Sequence, residues 1–251
     1  MLAILFQTVN DCPVLVAANR EEFYDRPGTP PELWDGEVAI VAGRDPRAGG
    51  TWLGVNQFGL LVAVTNRAKR QPPPAPRSRG LLCRDLLACQ TAFEAHERAL
   101  DALTREPFAG CNLLMIDASR AYVVEAGDVL RSSPLTPGMH VVTNPGLNDE
   151  ADPRATFALA ELGRLRAYTI HDWLESLPPL CAQHGTPPTP AICLHSKDRG
   201  TVSTSIIALT DNRRSDRWLH AQGPPCRAPF QEFSHLMHHL AYLPKSVHPA
   251  R

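Results

Sequence analysis

The first 26 residues constrain the fold of this chain more than any other segment. Residues 2–6 and 14–18 are short apolar runs, and the turn-forming sequence Asn-Asp-Cys-Pro at residues 10–13 lies between them. Two apolar runs around such a turn predict a β-hairpin whose strands are both buried. The polar sequence Asn-Arg-Glu-Glu follows at residues 19–22. Because buried charges must be paired or used, this tetrapeptide is either part of a functional site or the solvated end of the strand.

Length and net charge limit the architecture and the class of partner. The chain has 251 residues, of which 43% are hydrophobic and 20% charged, so a single domain over residues 1–251 can bury a sizeable core. Its net charge is −1. Proteins that bind nucleic acid usually present a strongly basic surface, so we expect no nucleic-acid partner. The sequence leaves the oligomeric state open.

Cysteine spacing and hydropathy predict the compartment. The seven cysteines are widely spaced and none forms a Cys-x-x-Cys pair, which favours buried free thiols over a disulfide framework or a structural zinc site. No run of about 18 apolar residues is present, so we expect no transmembrane helix. The first apolar run is interrupted by Gln7 and lacks a basic segment before it, as in a strand and unlike a signal peptide. We therefore expect a cytoplasmic protein.

Further hairpins and helices are predicted along the chain. Apolar runs bounded by turns predict strands in residues 38–42, 48–55, 59–66, 111–117, 121–125, 139–144, 191–195, 201–209 and 217–221. Helical spacing and capping residues predict helices in residues 82–107 (one long or two short), 153–165, 170–181 and 228–243. Parallel βαβ alternation is missing, so the simplest packing is two antiparallel sheets with helices outside.

A basic, proline-rich loop covers residues 67–79. It carries five cations, at Arg67, Lys69, Arg70, Arg77 and Arg79. This composition is typical of a solvated surface loop, and it also suits a positive rim around an anionic ligand.

The polar tetrapeptide at residues 19–22 resembles the name-giving Asn-Arg-Asp-Glu motif of the NRDE family, also called the transport and Golgi organisation 2 family. Further matching segments lie in order along the chain, at residues 42–45, 49–55, 65–66, 78–80, 112–114, 143–144, 201–203 and 223–226. The resemblance implies an α+β fold, a four-layer α-ββ-α sandwich of two antiparallel sheets, similar to N-terminal-nucleophile hydrolases.

The resemblance also implies a chemistry from which this chain departs. In related hydrolases, removal of the initiator Met exposes a Cys whose thiolate attacks an amide while its own α-amine moves the proton. Here the second residue is Leu2. A large second residue normally blocks removal of Met, so neither the thiol nor its amine is expected. Cys12 lies in the hairpin turn, and Thr51 and Ser203 are internal, so none of these residues replaces the nucleophile.

The residues that would match the other members of the family's site are nevertheless present in this chain. By resemblance, the candidate residues of a ligand pocket are Leu2, Asn19, Arg20, Glu21, Glu22, Asn66 and Asn144. The alternative is that the polar cluster serves only as a hydrogen-bond network that locks the hairpin.

His235 and His239 provide a separate and weaker candidate for a metal site. They lie four residues apart on the predicted terminal helix and share one face, a spacing that can ligate zinc or haem iron. A pair of histidines on a surface helix is more often simply solvated. We therefore assign no metal and no required cofactor.

Two functions follow from these observations. The first is a non-catalytic carrier with a small-molecule ligand, either haem, because the family is linked to haem mobilisation, or an acyl or lipid compound. The second is an amide or thioester hydrolase or acyltransferase of the N-terminal-nucleophile type, or one that uses Glu21 or Glu22 as a base for water. Leu2 favours the carrier. A purely structural role in trafficking is left open by the sequence.

Overall fold

The hairpin at the start of the chain forms the centre of a six-stranded antiparallel sheet, the first sheet. The computed structural model describes residues 1–186 and 188–243. The strands of the first sheet are β1 (Leu2–Val9), β2 (Cys12–Phe23), β10 (Gly138–Val142), β11 (Arg199–Leu209), β12 (Arg217–Ala221) and β13 (Gln231–Glu232). Their order across the sheet is β10-β1-β2-β11-β12-β13. The predicted hairpin is thus confirmed, and β2 continues through the polar tetrapeptide.

The second sheet has seven antiparallel strands in chain order. They are β3 (Glu32–Trp34), β4 (Ile40–Ala42), β5 (Leu53–Asn56), β6 (Leu61–Asn66), β7 (Cys111–Ile116), β8 (Ala121–Ala126) and β9 (Leu130–Pro134). The predicted strands on either side of residues 56–59 and of residues 118–120 pair as the β5–β6 and β7–β8 hairpins.

Four helices cover the outer faces of the two sheets in the described part of the chain, and a fifth packs against the core between the sheets. They are α1 (Arg79–Leu86), α2 (Ala92–Arg105), α3 (Pro153–Arg164), α4 (Ile170–Cys181) and α5 (Ser234–Tyr242). The first two pack on the second sheet, and α3 and α4 pack on the first sheet. Helix α5 adds Met237 and Leu240 to the core between the sheets. No helix in the described part of the chain is long and apolar enough to cross a membrane.

Strand β1 shows why both sheets are buried on two faces. Ile4 and Phe6 point into the core between the sheets, whereas Ala3 and Leu5 point towards α3 and α4. Because successive side chains of a strand alternate between faces, a strand with apolar residues at every position needs a layer on each side. The fold is therefore the four-layer α+β sandwich of two antiparallel sheets that the sequence predicts.

Two helix starts are confirmed in atomic detail. The Asp152 side chain accepts a hydrogen bond from the Arg154 backbone, with Pro153 as the first helical residue of α3. Thr169 and Asp172 form a reciprocal capping box at the start of α4.

Several predicted element boundaries are wrong. Residues 191–195 are a folded-back loop and not a strand, because the amides of Ile192 and Cys193 both donate to the carbonyl of Gln183. The helical pattern of residues 82–107 forms two short helices, which is one of the two alternatives that the sequence predicts, and the first of them begins earlier, at Arg79. The terminal helix begins at Ser234, since residues 231–232 pair with β12. Strands β3 and β9 were not predicted, because short edge strands with little apolar character carry a weak signal.

Asn56 fastens the β5–β6 turn to the end of α1. Its buried amide nitrogen donates to the carbonyls of Leu87 (2.9 Å) and Cys89 (2.6 Å). Its side-chain oxygen accepts from the amides of Phe58 and Leu60, both at 3.0 Å.

We expect Asn56→Ala to lower the free energy of unfolding by about 3 kcal/mol, because it leaves buried amides and carbonyls without partners. Urea denaturation measures this change. Gln90→Ala, at an exposed site, should change it by less than about 0.5 kcal/mol. A loss below about 1 kcal/mol for Asn56→Ala would show that the turn does not depend on this side chain.

Candidate functional site

A cavity of about 260 Å³ opens between the two sheets, where β1 and β2 face β5, β6 and the start of α1. All seven pocket residues predicted from the sequence line it: Leu2, Asn19, Arg20, Glu21, Glu22, Asn66 and Asn144. The structure thus brings them together, and their part in ligand binding stays a prediction.

Alternation along β2 divides the polar tetrapeptide between two environments. Arg20 is directed between the sheets, where its guanidinium lies 4.1 Å from the centre of the Trp52 ring. Its Nη1 donates to the carbonyl of Arg26 at 3.1 Å. Stacking on an indole holds a guanidinium in one orientation and leaves its remaining N–H groups available.

Asn19 faces the helices and has a structural role. Its amide nitrogen donates to the carbonyls of Cys181 (3.0 Å) and Ile192 (3.2 Å). Its oxygen accepts from the hydroxyl of Thr204 at 2.8 Å. Asn19 therefore ties β2 to the end of α4, to the following loop and to β11, as the network interpretation of the sequence predicts.

Glu21 is the centre of a buried ionic cluster. Its Oε1 accepts from the ammonium of Met1 at 3.1 Å and from Nη2 of Arg154. Burial alone would raise the pKa of Glu21, but the two adjacent cations lower the pKa to about 2. A carboxylate with so low a pKa is a weak base at neutral pH, so Glu21 is poorly suited to activate water.

The other carboxylates near the cavity are also engaged. Asp45 accepts from Nη2 of Arg26 at 2.6 Å, and Glu22 lies 3.5 Å from Nη1 of the same guanidinium. The second oxygen of Glu22 accepts from the amide of Phe23. Neither carboxylate is therefore placed as a free general base.

Most cations of the basic loop are neutralised. Arg67 pairs with Glu125, Arg70 with Asp128, and Arg77 with both Asp85 and Glu106. Of this loop only Arg77 and Arg79 line the cavity together with the neighbouring residues 76 and 78. The positive rim predicted from the sequence is thus confined to the end of the loop.

Arg20 and Arg79 differ from these paired cations. Within the described residues, neither guanidinium lies within 4.0 Å of a carboxylate. Arg79 donates instead to the carbonyl of Gly110 at 2.8 Å. Burial lowers the pKa of both arginines, although a guanidinium remains charged at neutral pH. Two half-buried positive charges therefore line one cavity without a carboxylate in direct contact, and Glu22 and Asp45 act on Arg20 from a greater distance.

The start of α1 reaches the cavity through a close backbone contact. The amide of Thr51 donates to the carbonyl of Gly80 at 3.0 Å. A Cβ atom on Gly50 would lie 2.2 Å from the Gly80 backbone, so a larger residue at position 50 would displace α1. Arg79 was predicted only as a loop cation. The signal that identifies it is the adjacent Ser78, whose hydroxyl caps α1.

The mouth of the cavity is polar. The side chain of Asn144 donates to the carbonyl of Asn66 at 3.1 Å, and both residues are exposed. The buried hydroxyl of Thr143 has no hydrogen-bond partner among the described residues. An unpartnered buried hydroxyl favours a polar group of a ligand nearby.

Leu2 occupies the position at which the resemblance places a nucleophile. It is 3% exposed and pairs with Ala18 and Val142 across the sheet. No cysteine is among the described residues that line the cavity. The hydroxyl of Thr51 donates to the carbonyl of Leu53 at 3.0 Å, so it serves the local turn.

His235 and His239 lie on α5 and do not line the cavity. Within the described residues, neither belongs to a group of three or more potential metal-binding side chains. His235 stacks on Phe233 with ring centres 6.3 Å apart.

Glu21→Gln should lower the free energy of unfolding by about 3–5 kcal/mol at pH 7, because it leaves the charges of Met1 and Arg154 uncompensated. The folded-state pKa of Glu21 lies below that of the unfolded chain, so its stabilisation is complete above about pH 4.3 and is lost as the pH falls towards 2. Chemical denaturation from pH 7 to 3 should therefore show that the difference in unfolding free energy between the variant and the unaltered protein becomes smaller as the pH falls.

Glu32→Gln provides the matched control, because Glu32 pairs with Arg44 on the surface and its side chain is 43% exposed. Glu32→Gln should lower the free energy of unfolding by less than about 1 kcal/mol at every pH. A pH-independent difference for Glu21→Gln would contradict the ionic role of Glu21.

Comparison with protein families gives a match over residues 1–169, to the family described as Transport and Golgi organisation 2. The Transport and Golgi organization 2 homologues of Mus musculus and Homo sapiens are each 32% identical over 143 residues. The match covers 52% of this chain and 50% of each relative, so the chain spans about half the length of the curated relatives it matches.

Solved structures match over most of the chain. Penicillin V acylase from Agrobacterium tumefaciens has a TM-score of 0.55 at 14% identity, covering 88% of this chain and 83% of that one. The Caenorhabditis elegans orthologue of N-acylethanolamine-hydrolyzing acid amidase has a TM-score of 0.56 at 16% identity, covering 82% and 92%. A conjugated bile acid hydrolase variant from Clostridium perfringens has a TM-score of 0.55 at 11% identity, covering 93% and 96%. All three share the N-terminal-nucleophile hydrolase fold with this chain.

Proposed function

The chain belongs to the Transport and Golgi organisation 2 family, and from this membership and its cavity we propose that it is a non-catalytic carrier of an anionic acyl compound. The observation that carries the proposal is the pair Arg20 and Arg79, which face the cavity without a carboxylate partner. Two guanidinium groups suit a carboxylate or phosphate, because their planar N–H donors match such oxygens.

The rest of the cavity suits the apolar part of such a ligand. Ala18, Leu53 and Val64 line it together with Leu2. Small-molecule sites commonly combine apolar walls with a few placed polar groups that fix the orientation of the ligand. The names of the structural relatives point the same way, since they describe a penicillin acylase, an N-acylethanolamine amidase and a hydrolase of conjugated bile acids.

Leu2 and Glu21 together favour binding over catalysis. Leu2 supplies neither a thiol nor a hydroxyl, and both cations beside Glu21 hold that carboxylate in its ionised, hydrogen-bonded form. Nucleophilic catalysis needs an activated nucleophile within reach of a base. Leu2 leaves the nucleophile of that pair missing, while the α-amine of Met1, whose pKa is lowered by burial, lies beside Glu21.

Cavity size favours an acyl ligand over haem as the fully enclosed ligand. The volume of about 260 Å³ lies just below the range of about 300–1,000 Å³ for sites that enclose drug-sized molecules. Haem is larger than a typical drug-sized molecule, so a site of this volume would enclose it only in part.

Arg20→Ala should weaken binding of a medium-chain fatty acid by about 10- to 100-fold, because one charge-assisted hydrogen-bonding group is worth about 1.5–3 kcal/mol. Isothermal titration calorimetry with dodecanoate, its coenzyme A thioester and haemin measures this loss and ranks the ligands. Arg20→Lys keeps the charge and should recover part of the affinity.

Arg70→Ala is the matched control, because Arg70 is 88% exposed, pairs with Asp128 and lies outside the cavity. It should leave the affinity unchanged. Equal losses in Arg20→Ala and Arg70→Ala would assign binding to general surface charge, and an absence of saturable binding to all three probes would contradict the carrier proposal.

Leu2→Cys tests the catalytic alternative. If Leu2 alone blocks catalysis, this small second residue should permit removal of Met1, which intact mass spectrometry detects, and should introduce measurable hydrolysis of acyl amides or thioesters. Leu2→Ala permits the same removal without a thiol and should stay inactive. Hydrolysis by the unaltered protein, with Met1 and Leu2 in place, would refute the non-catalytic assignment.

A further inference from the structure

Four potential metal ligands meet on the far side of the first sheet, outside the cavity. They are His184 and the pair Cys193 and His195, in the loop after α4, together with Cys226 in the turn that follows β12. Each side chain offers one donor atom, and these four atoms lie within 4.8 Å of one another. None of the four residues lines the cavity described above.

Three of the distances between these donors, those among Cys193, His195 and Cys226, match the edges of a metal-centred tetrahedron. Tetrahedral zinc with Zn–S bonds of about 2.3 Å and Zn–N bonds of about 2.05 Å requires S–S edges of about 3.8 Å and S–N edges of about 3.6 Å. Here the two sulfurs lie 3.7 Å apart, and Nε2 of His195 lies 3.5 Å from Sγ of Cys193 and 3.3 Å from Sγ of Cys226. The rings of His184 and His195 have centres 5.1 Å apart.

We propose that His184, Cys193, His195 and Cys226 bind one Zn²⁺ ion as a four-ligand structural site. Two sulfurs and two imidazoles in a tetrahedral arrangement form a donor set that favours zinc. On binding, each thiol releases a proton to solvent, so two thiolates balance the charge of the ion and both imidazoles stay neutral. Four protein ligands leave no open position for a substrate, which makes the role structural.

The sequence argued against a structural zinc site because no Cys-x-x-Cys pair is present. The fold instead brings four ligands together: a Cys-x-His pair, a histidine nine residues before Cys193 and a cysteine 33 residues after Cys193. A search for paired cysteines alone misses this arrangement.

The metal would fasten the loop that supports the ionic cluster. Within this loop the carbonyl of Ile192 accepts from Asn19 at 3.2 Å and from Nη2 of Arg154 at 2.7 Å. Cys193 follows directly and donates its amide to the carbonyl of Gln183 at 2.9 Å. A bond from Cys193 through zinc to Cys226 therefore ties this loop to the turn that follows β12. The site does not depend on the proposed ligand of the cavity.

Metal analysis of the full chain, purified with reductant and without chelator, should find one zinc per molecule. After removal of zinc, titration with Co²⁺ should saturate at one equivalent. It should give the intense visible bands of tetrahedral cobalt and the near-ultraviolet bands of cobalt–thiolate charge transfer. Cys226→Ser and His184→Gln should each weaken Co²⁺ binding by more than about 100-fold, since loss of an outer-shell partner alone costs about 10- to 100-fold.

His184→Gln keeps the test valid if Cys226→Ser fails to fold, because His184 is exposed. His235→Gln combined with His239→Gln is the control and should leave the cobalt spectrum unchanged. Weak octahedral cobalt bands, or full tetrahedral bands retained in His184→Gln, would overturn the proposal. A Cys193–Cys226 disulfide found by mass spectrometry after purification with reductant would overturn it too, since it would remove both thiolates.

Discussion

The antiparallel pairing of β2 with β11 is the constraint on which the rest of the structure depends. It joins residues 14–23 to residues 199–209 in the middle of the first sheet. With a layer on each side, the side chains of residues 14–21 in β2 must each suit one of two environments, and the strand alternation allows no choice of face. Arg20 is thereby directed to the cavity and Glu21 to the helices, although the two residues are adjacent. One strand thus carries both the guanidinium that faces the cavity and the carboxylate that pairs with Met1 and Arg154.

The charged side chains near the cavity fall into two groups, those paired with an opposite charge and those held by neutral groups. Glu21 has two cationic partners, Arg26 has two carboxylates, and Arg67 has Glu125. Such pairs satisfy buried charges and hold the chain in register, and they offer little to a ligand. Arg20 and Arg79 are held by an indole ring and by backbone carbonyls, which orient a guanidinium without neutralising it. Their positive charge therefore remains available within the cavity.

Leu2 shows that this fold forms without a nucleophilic side chain at the second position. It keeps the strand pairing and the apolar packing that a residue at this position needs, and it supplies no nucleophile. Fold similarity at 11–16% identity therefore identifies the scaffold of the relatives, while the activity depends on the side chains at the site. The cavity has Arg20, Asn66 and Asn144 in its lining around an apolar second residue.

The sequence by itself determined the hairpins, the capped helices and the two-sheet architecture, because alternation and caps are local patterns that each element carries within itself. It also predicted the seven residues that line one cavity, through their resemblance to a family motif. Only the tertiary structure decided which charges are paired. Glu21 meets Arg154, 133 residues away, and His184 and Cys193 meet Cys226 from separate loops. These contacts depend on how distant segments pack, and no local periodicity in the sequence records that packing.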